Sequence, residues 1–260
     1  MKIAFITLSR EGAALFGELR KTFADADCFL HDKVEGDYAV RRFSRIADLT
    51  AEIFGEYGGL VYIAPCGAVV RAIAPLLRDK MNDPAVVQMD VGGRWAVSLL
   101  SGHEGGANEL ALAVANAVGA EPVISTSTDA AKNLIVGVGC RRGVEAERII
   151  DAIKTALADT GCALQWVRCI ASADVKADEA GLIEAARALG VPLRFIASDE
   201  IRESTRDFGR SEFVEQSVNL PAVAEPAALL AGRRTSLILR RRTFRGITVA
   251  IARERSLSLA

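Results

Sequence analysis

The sequence predicts an α/β protein with two three-layer α/β/α domains, the first built on a mostly parallel sheet and the second on a mixed sheet that ends in a hairpin. Short apolar runs of strand length alternate with amphipathic segments of helical period, which is typical of a sheet covered by helices. The alternation restarts at Leu134 after the polar stretch Glu121–Asn133. We therefore expect domains over residues 1–130 and 131–260.

The first domain opens with an apolar, β-rich run at Lys2–Leu8 and a helix to about Phe23. Apolar residues on one face predict a helix over Ile46–Tyr57, and a second predicted helix, within Pro65–Lys80, is kinked or ended by Pro75. A further helix ends at Gly119. The other predicted strands are Cys28–Leu30, Leu60–Ala64, Val86–Met89 and Trp95–Leu100.

The second domain begins with a strand at Leu134, a glycine-containing loop, and a helix with Val144, Ile149, Ile150, Ile153 and Leu157 on its apolar side. Two helices follow, one ending at Gly190 and one that is rich in alanine. The arginines of the segment RRRTFRG are expected in a solvated turn of the terminal hairpin. The remaining predicted elements are strands Gln165–Ile170 and Pro192–Ile196, helices Glu179–Leu189 and Ala222–Leu230, and hairpin strands Thr235–Leu239 and Ile247–Ala252.

Composition excludes several classes of protein. The formal net charge of −1 gives no reason to expect nucleic acid or an anionic membrane as a partner. Five cysteines without a C-x-x-C pair indicate neither a disulfide framework nor a zinc site. The N-terminus lacks a signal-peptide pattern and no apolar run approaches membrane-spanning length, so we expect a cytoplasmic protein.

The stretch SGHEGGAN, residues 101–108, joins a predicted strand to a predicted helix. Its glycines allow a sharp turn, and the first turn of the helix is expected to direct unpaired N–H groups towards an anion. His103 is one of two histidines in the chain and could act as a general base, although a lone loop histidine is more often a spectator. In a parallel sheet Pro65–Arg71, Asp90 and this loop would lie at one edge.

Arginine outnumbers lysine by 25 to 7, which suits a ligand with several carboxylates but also follows from genome base composition. Arg141 and Arg142 stand at the start of a predicted helix, where carboxylates are better partners than solvent. The nearby glycines match neither G-x-G-x-x-G nor a P-loop, so a nucleotide-dependent enzyme is a weak alternative.

Several motifs together resemble the cobalt-precorrin-5A hydrolase family of anaerobic cobalamin biosynthesis, over roughly residues 58–260. They are VVRAIAPLLRDKMNDPAVVQMD, SLLSGHEGGANELA, VGVGCRRG and VAEPAALLA. The resemblance implies an enzyme that opens the δ-lactone of a ring-contracted cobalt corrinoid and releases acetaldehyde. It also implies that cobalt arrives with the substrate, so that no protein cofactor or metal site is needed.

For this reaction we expect His103 as the base, with Asp90 to orient it or to hold water, and with Ser101, Asn108 and the amides of Gly105 and Gly106 as donors. The residues expected to bind substrate are Gly67, Arg71, Arg78, Gly102, Gly105, Gly106, Gly139, Cys140, Arg141, Arg142 and Glu225.

The chain departs from the family pattern in three places. The usual middle segment before VGVGCRRG is missing, Val91 stands where an acidic residue is expected, and SVNLPAVAEP, which contains Glu225, replaces a glycine-rich run. Two alternatives therefore stay open, a non-catalytic corrinoid carrier and a structural partner in a pathway complex. The expected partner is the corrinoid, and both a homodimer and transient contact with neighbouring pathway enzymes are compatible with the sequence.

Overall fold

The computed structural model describes residues 1–209, 215 and 219–256. The chain divides into two compact units, Met1–Thr126 and Ser127–Ala260. In each unit, helices pack on both faces of one central sheet. The predicted fold class is confirmed, with a mostly parallel sheet in the first unit and a mixed sheet in the second.

Seven strands form the sheet of the first unit. They are β1 (Ile3–Thr7), β2 (Asp27–His31), β3 (Arg41–Phe43), β4 (Gly59–Ile63), β5 (Ala85–Met89), β6 (Trp95–Leu100) and β7 (Glu121–Val123). Their order in the sheet is β3-β2-β1-β4-β5-β6-β7. The central strands β4 and β5 are buried along their whole length, as expected for a sheet with helices on both faces.

The helices of this unit are α1 (Arg10–Ala14), α2 (Phe16–Thr22), α3 (Ile46–Ile53), α4 (Cys66–Ile73) and α5 (Ala107–Val118). Phe16, Leu19 and Leu110 belong to the core on one face of the sheet, which α1, α2 and α5 cover. Ile53 and Val69 belong to the core on the other face, under α3 and α4.

One strand pairing decides where the loops of this unit lie. The strands from β3 to β5 run parallel to one another, but β6 pairs antiparallel with β5. Leu100, at the end of β6, faces Val86 near the start of β5, and Ala96 faces Met89 at its end. The loops that follow β5 and β6 therefore leave opposite edges of the sheet.

The second unit has a five-stranded sheet. Its strands are β8 (Leu134–Cys140), β9 (Val167–Ala173), β10 (Leu193–Ile196), β11 (Thr235–Phe244) and β12 (Ile247–Glu254). Their order is β10-β9-β8-β12-β11. The first three strands are parallel, and β12 runs antiparallel to both of its neighbours.

The described helices of this unit are α6 (Ser127–Ala130), α7 (Ala146–Asp159), α8 (Ala180–Leu189), α9 (Ser198–Glu203) and α10 (Ala224–Leu230). Ile149, Ile153 and Leu182 of α7 and α8 bury one face of the sheet. Ile201 and Ala227 of α9 and α10 bury the other.

The terminal hairpin is longer than predicted. β11 continues to Phe244, and Arg242 pairs with Val249, so the arginines at 240–242 lie in a strand and their assignment to a solvated turn is wrong. Only Arg245 and Gly246 form the turn, with φ of 47° and 92°. Cross-strand pairing of Arg242, Thr243 and Phe244 extends the strand beyond its apolar part, because backbone groups pair regardless of the side chain.

Other bounds differ by a turn or less. α3 stops at Ile53 rather than Tyr57. α4 ends at Ile73, and the 3-10 turn Ala74–Leu76 follows, because Pro75 has no N–H to continue the helical ladder. Of the run SVNLPAVAEP, the residues at 217 and 218 lie outside the described part of the chain.

Candidate functional site

The antiparallel β5–β6 pair separates residues that the sequence analysis placed together. Asp90 follows β5, whereas Ser101 and His103 follow β6, so they lie at opposite edges of the sheet. The expectation of a single edge is wrong. The signal was present in the sequence, because the five residues between β5 and β6 can join antiparallel strands but are too few for a parallel crossover.

Asp90 organises its own turn. Its Oδ1 accepts hydrogen bonds from the backbone N–H groups of Arg94 at 2.8 Å and Trp95 at 2.9 Å, and its Oδ2 accepts from Gly92 at 3.2 Å and from Arg94 Nε at 3.0 Å. Partial burial alone would raise the pKa of Asp90, but these bonds outweigh it and lower that pKa. Asp90 caps the β5–β6 turn, and its expected role of orienting His103 is wrong.

Gly67 and Arg71 form a separate pair at the start of α4, which follows β4. The Arg71 guanidinium donates from Nη1 to the carbonyl oxygen of Gly67 at 2.8 Å, and both residues are exposed. They lie at the same edge as Asp90 and away from the loop of His103.

Two loops meet at the opposite edge. Lys80, in the connection between α4 and β5, pairs with Glu104 at 2.8 Å, and this hydrogen bond lowers the pKa of Glu104. In the same connection, the buried carboxylate of Asp83 accepts from the backbone N–H of Arg78 at 3.0 and 3.2 Å. Arg78 therefore belongs to the loop that contacts the His103 loop.

The amides of the 101–108 loop are largely used within the loop itself. The carbonyl oxygen of Ser101 accepts from the N–H groups of Gly105 and Ala107, both at 3.1 Å, and that of His103 accepts from Gly106 at 3.3 Å. Asn108 N–H donates to the carbonyl of Gly102 at 3.0 Å. The predicted use of the Gly105 and Gly106 amides as oxyanion donors is therefore wrong.

The side chain of Asn108 is a structural bridge. Its Oδ1 accepts from Ser98 Oγ at 2.8 Å, and its Nδ2 donates to Thr126 Oγ1 at 3.0 Å. The residue is buried. Because both ends of the amide have partners within this unit, Asn108 fixes the start of α5 against β6 and is not the donor that the sequence analysis expected.

The glycines of the loop also serve its own packing. A Cβ on Gly105 would lie 2.5 Å from Ser101 Cβ, and one on Gly102 would lie 2.6 Å from a methyl carbon of Thr126. Gly106, with φ of 82°, begins α5 in a backbone conformation that L side chains rarely adopt. Gly102 and Gly105 therefore allow the backbone to pack closely against other residues of the protein, rather than against a ligand.

Two side chains of the loop remain candidates for a role in catalysis. Ser101 has φ of 57°, an uncommon value for a residue with a side chain, and its buried Oγ has no hydrogen-bond partner among the described residues. His103 is exposed two residues further on. A strained backbone and an orphaned buried hydroxyl are features that cluster at functional sites.

In the second unit, the carboxyl ends of the parallel strands β8, β9 and β10 form the edge at which ligands of such sheets commonly bind. Gly139 and Cys140 end β8, and Arg141 and Arg142 follow. Arg142 pairs with Asp178 at 2.8 Å, and both side chains are exposed. The N–H of Arg141 donates to the carbonyl of Gly246 at 3.2 Å, which ties this loop to the hairpin turn.

A buried ion pair that the sequence did not predict lies beneath the loop that carries Arg141 and Arg142. Glu179 Oε1 accepts from the backbone N–H of Gly143 at 2.9 Å, and Glu179 Oε2 lies 3.7 Å from Lys176 Nζ. Both charged side chains are buried. Burial raises the pKa of the adjacent Cys140 thiol, which Lys176 opposes. The spacing K-x-x-E just before α8 was the only available sequence signal.

Gly139 and Glu225 serve the packing of α10. A Cβ on Gly139 would lie 3.3 Å from Val223 Cβ, so glycine here admits the start of that helix. Glu225 is buried, and its two oxygens accept from the N–H groups of Arg241 at 2.8 Å and Gly209 at 2.6 Å. The expectation that Glu225 contacts substrate is wrong, because both oxygens already bind backbone amides.

Among the described residues, no helix is long and apolar enough to cross a membrane. The same residues contain no group of three or more His, Cys, Asp or Glu side chains that could hold a metal ion.

Two family models match the chain in succession. The model described as "Cobalamin synthesis G N-terminal" matches residues 48–129, and "Cobalamin synthesis G C-terminus" matches residues 134–252. The first match lies almost entirely in the first unit and the second lies within the second unit, and residues 1–47 fall outside both.

Named relatives agree with these models. A "Cobalt-precorrin-5A hydrolase" of Priestia megaterium is 25% identical over 96% of this chain and 94% of its own length. One of Salmonella typhimurium is 39% identical over 49% of this chain and 36% of its own length. "Protein CobE" of Sinorhizobium sp. is 36% identical over 48% of this chain and 83% of its own length.

Proposed function

The chain belongs to the cobalamin synthesis G family, and on this basis we propose that it is a cobalt-precorrin-5A hydrolase. It opens the δ-lactone of a ring-contracted cobalt corrinoid and releases acetaldehyde, giving cobalt-precorrin-5B.

The observation that carries the proposal is the match to the Priestia megaterium hydrolase, which extends over nearly all of both chains. The alignment of 352 residues is longer than this 260-residue chain. Part of the relative therefore has no counterpart here, in keeping with the missing middle segment. We propose that this segment is dispensable for the reaction.

The substrate carries several acetate and propionate side chains. Arginine guanidinium groups bind such carboxylates with paired, charge-assisted hydrogen bonds. We assign this role to Arg141 and Arg142 at the carboxyl edge of the second sheet, and to Arg78 beside the His103 loop. Arg142 exchanges its exposed pairing with Asp178 for a substrate carboxylate at little cost, since exposed ion pairs contribute little to stability.

For the chemical step, His103 takes a proton from water as the water oxygen adds to the lactone carbonyl carbon. The Ser101 hydroxyl donates to the oxyanion that forms. The ring C–O bond then breaks, giving a carboxylic acid and an alkoxide. The alkoxide collapses to acetaldehyde as the C–C bond to the macrocycle breaks, and the bonding electrons remain on the macrocycle, which is protonated. One water is consumed for each acetaldehyde released.

The orphaned Ser101 hydroxyl supports this assignment, because it is a hydrogen-bond donor without a partner among the described residues. Asp90, Asn108 and the Gly105 and Gly106 amides take no part in the step, since their polar atoms are engaged elsewhere. We propose that cobalt enters with the substrate and that the protein supplies no metal or other cofactor.

The test is an anaerobic incubation of the purified protein with cobalt-precorrin-5A, in which acetaldehyde is trapped and the loss of the two-carbon fragment is followed by mass spectrometry. Enzyme-dependent acetaldehyde is the expected result. Its absence, with a folded and substrate-binding protein, contradicts the proposal.

A second candidate is a corrinoid carrier without catalysis. The match to Protein CobE favours it, because most of that relative corresponds to only 48% of this chain. A carrier binds the corrinoid tightly and releases no acetaldehyde in the same incubation.

A further inference from the structure

The hairpin turn of the second unit holds an arginine in an unusual backbone conformation. Arg245 and Gly246 are the only residues between the paired Phe244 and Ile247, and their φ values of 47° and 92° are those that a type I′ turn requires. Asn, Asp and Gly are the residues favoured at the first position of such a turn. An arginine there strains the backbone, and nothing in the packing of the turn requires its side chain, which is exposed.

The turn lies at the edge where ligands are expected. Ile247 pairs with Cys140, so the turn stands beside the end of β8 and the arginine loop that follows it. The side chain of Arg141 lies across Gly246, whose Cβ position is 3.3 Å from Arg141 Cδ. Arg148 Nη2, from the first turn of α7, donates to the carbonyl oxygen of Arg245 at 2.9 Å. Two arginines thus hold the backbone that presents a third.

The charge of Arg245 is available for a ligand. Among the described residues no carboxylate lies within 4.0 Å of its guanidinium. By contrast, Arg142, Arg240 and Arg242 each pair with an aspartate. Glu145 and Glu147 at the start of α7 are exposed, and neither forms an ion pair with Arg148 or Arg245 in the described structure.

We infer that Arg245 is a further substrate-binding residue, whose guanidinium receives a peripheral carboxylate of the corrinoid beside the Arg141–Arg142 loop. The inference rests on the proposed function for the nature of the ligand. It explains why a strained position carries a long cationic side chain in place of the small residue that the turn favours.

Arg245→Asn separates binding from folding, because asparagine before glycine suits a type I′ turn. The matched control is Arg234→Asn. Arg234 is also an exposed arginine with a left-handed backbone, φ 50°, but it precedes β11 at the opposite edge of the same sheet. A third variant, Arg245→Lys, keeps the charge and loses the planar fork.

Each protein is titrated with cobyrinic acid, a corrinoid with free carboxylates, and with its heptamethyl ester, and KM and kcat are measured with cobalt-precorrin-5A. We expect Arg245→Asn to unfold at the same or a higher temperature than the parent. We expect its dissociation constant for the acid and its KM to rise about ten-fold, with kcat and ester binding unchanged. We expect the dissociation constant and KM of Arg245→Lys to lie between those of the parent and those of Arg245→Asn. Arg234→Asn should bind the acid as tightly as the parent does.

Parent-like acid binding by Arg245→Asn overturns the inference, as does an equal loss of affinity for the ester, which would exclude a carboxylate contact. If the parent binds the acid but releases no acetaldehyde, the hydrolase proposal fails. The role of Arg245 in binding is then still tested by comparing the dissociation constants of the parent and of Arg245→Asn for the acid. If the parent turns over substrate and Arg245→Asn has an unchanged KM, only the Arg245 inference fails. A parent that binds no corrinoid overturns both.

Discussion

The carboxylate of Glu179 accepts a hydrogen bond from the backbone N–H of Gly143 at 2.9 Å, across 36 residues of sequence. Its second oxygen faces the ammonium group of Lys176, and both side chains are buried. One carboxylate thus fixes the loop that carries Arg141 and Arg142 and neutralises a buried cation.

Glu179→Ala leaves Lys176 buried without its carboxylate and the Gly143 N–H without its acceptor. We expect the free energy of unfolding to fall by about 3 kcal/mol, as when one partner of a buried pair is removed. Urea denaturation measures it. The matched control is Asp178→Ala, which breaks the exposed pair with Arg142 and costs less than about 1 kcal/mol. If both variants lose the same free energy of unfolding, the buried pair contributes no more to stability than the exposed one.

Ser101→Ala removes a buried hydroxyl that has no partner among the described residues. Because no hydrogen bond is lost, we expect the free energy of unfolding to stay the same or rise by up to about 1 kcal/mol. If the hydroxyl stabilises the oxyanion, kcat falls about 100-fold. Acetaldehyde release under saturating substrate measures kcat.

The control for that variant is Ser172→Ala, also buried, whose Oγ donates to the carbonyl of Val138 at 2.8 Å. It loses about 1 kcal/mol of stability and keeps its kcat, since a hydrogen bond is removed away from the proposed chemistry. A Ser101→Ala enzyme with parental kcat contradicts the donor role.

His103→Ala removes the proposed base. We expect kcat to fall by about 100-fold or more with little change in stability, because the side chain is exposed. The other histidine of the chain, His31, packs edge-on against Phe43 and provides the control. His31→Ala should retain parental kcat. Turnover of His103→Ala within a few-fold of the parent would remove His103 from the mechanism.

Asp90→Asn tests the assignment of Asp90 to its turn. The variant weakens the bonds to Arg94 and Trp95, so we expect a loss of about 1 to 2 kcal/mol in the free energy of unfolding at pH 7, with kcat unchanged. Folding lowers the pKa of Asp90 below its usual 3.8. The ionised carboxylate therefore contributes its full stabilisation of the fold above pH 3.8, and this contribution disappears as the pH falls through the lower pKa of the folded state.

Urea midpoints for the parent and for Asp90→Asn should therefore differ at pH 7 and begin to converge as the pH falls below about 4. Asp25→Asn, at an exposed loop position, should show no difference at either pH. A large loss of kcat in Asp90→Asn would return Asp90 to the catalytic residues.

The sequence by itself determined the fold class and most of the longer helices and strands, but β3, α6 and α9 were not predicted. Apolar runs at Leu60–Ala64 and Val86–Met89 specified strands buried on both faces, and Gly119 and Gly190 ended helices because glycine adopts the left-handed backbone freely. Those features are local, so composition and period suffice to predict them. The motifs of the 101–108 and 139–142 segments likewise pointed to the family that the comparisons support.

Only the tertiary structure decided which polar groups remain available. Asn108, Glu225 and the Gly105 amide are bound by partners within their own units, and Asp90 lies at the other edge of the sheet from His103. Ser101 alone among the expected donors keeps a hydroxyl without a partner in the described chain. Hydrogen bonds formed in the folded chain occupy these groups, and which group receives which partner depends on strand direction and packing rather than on residue type alone.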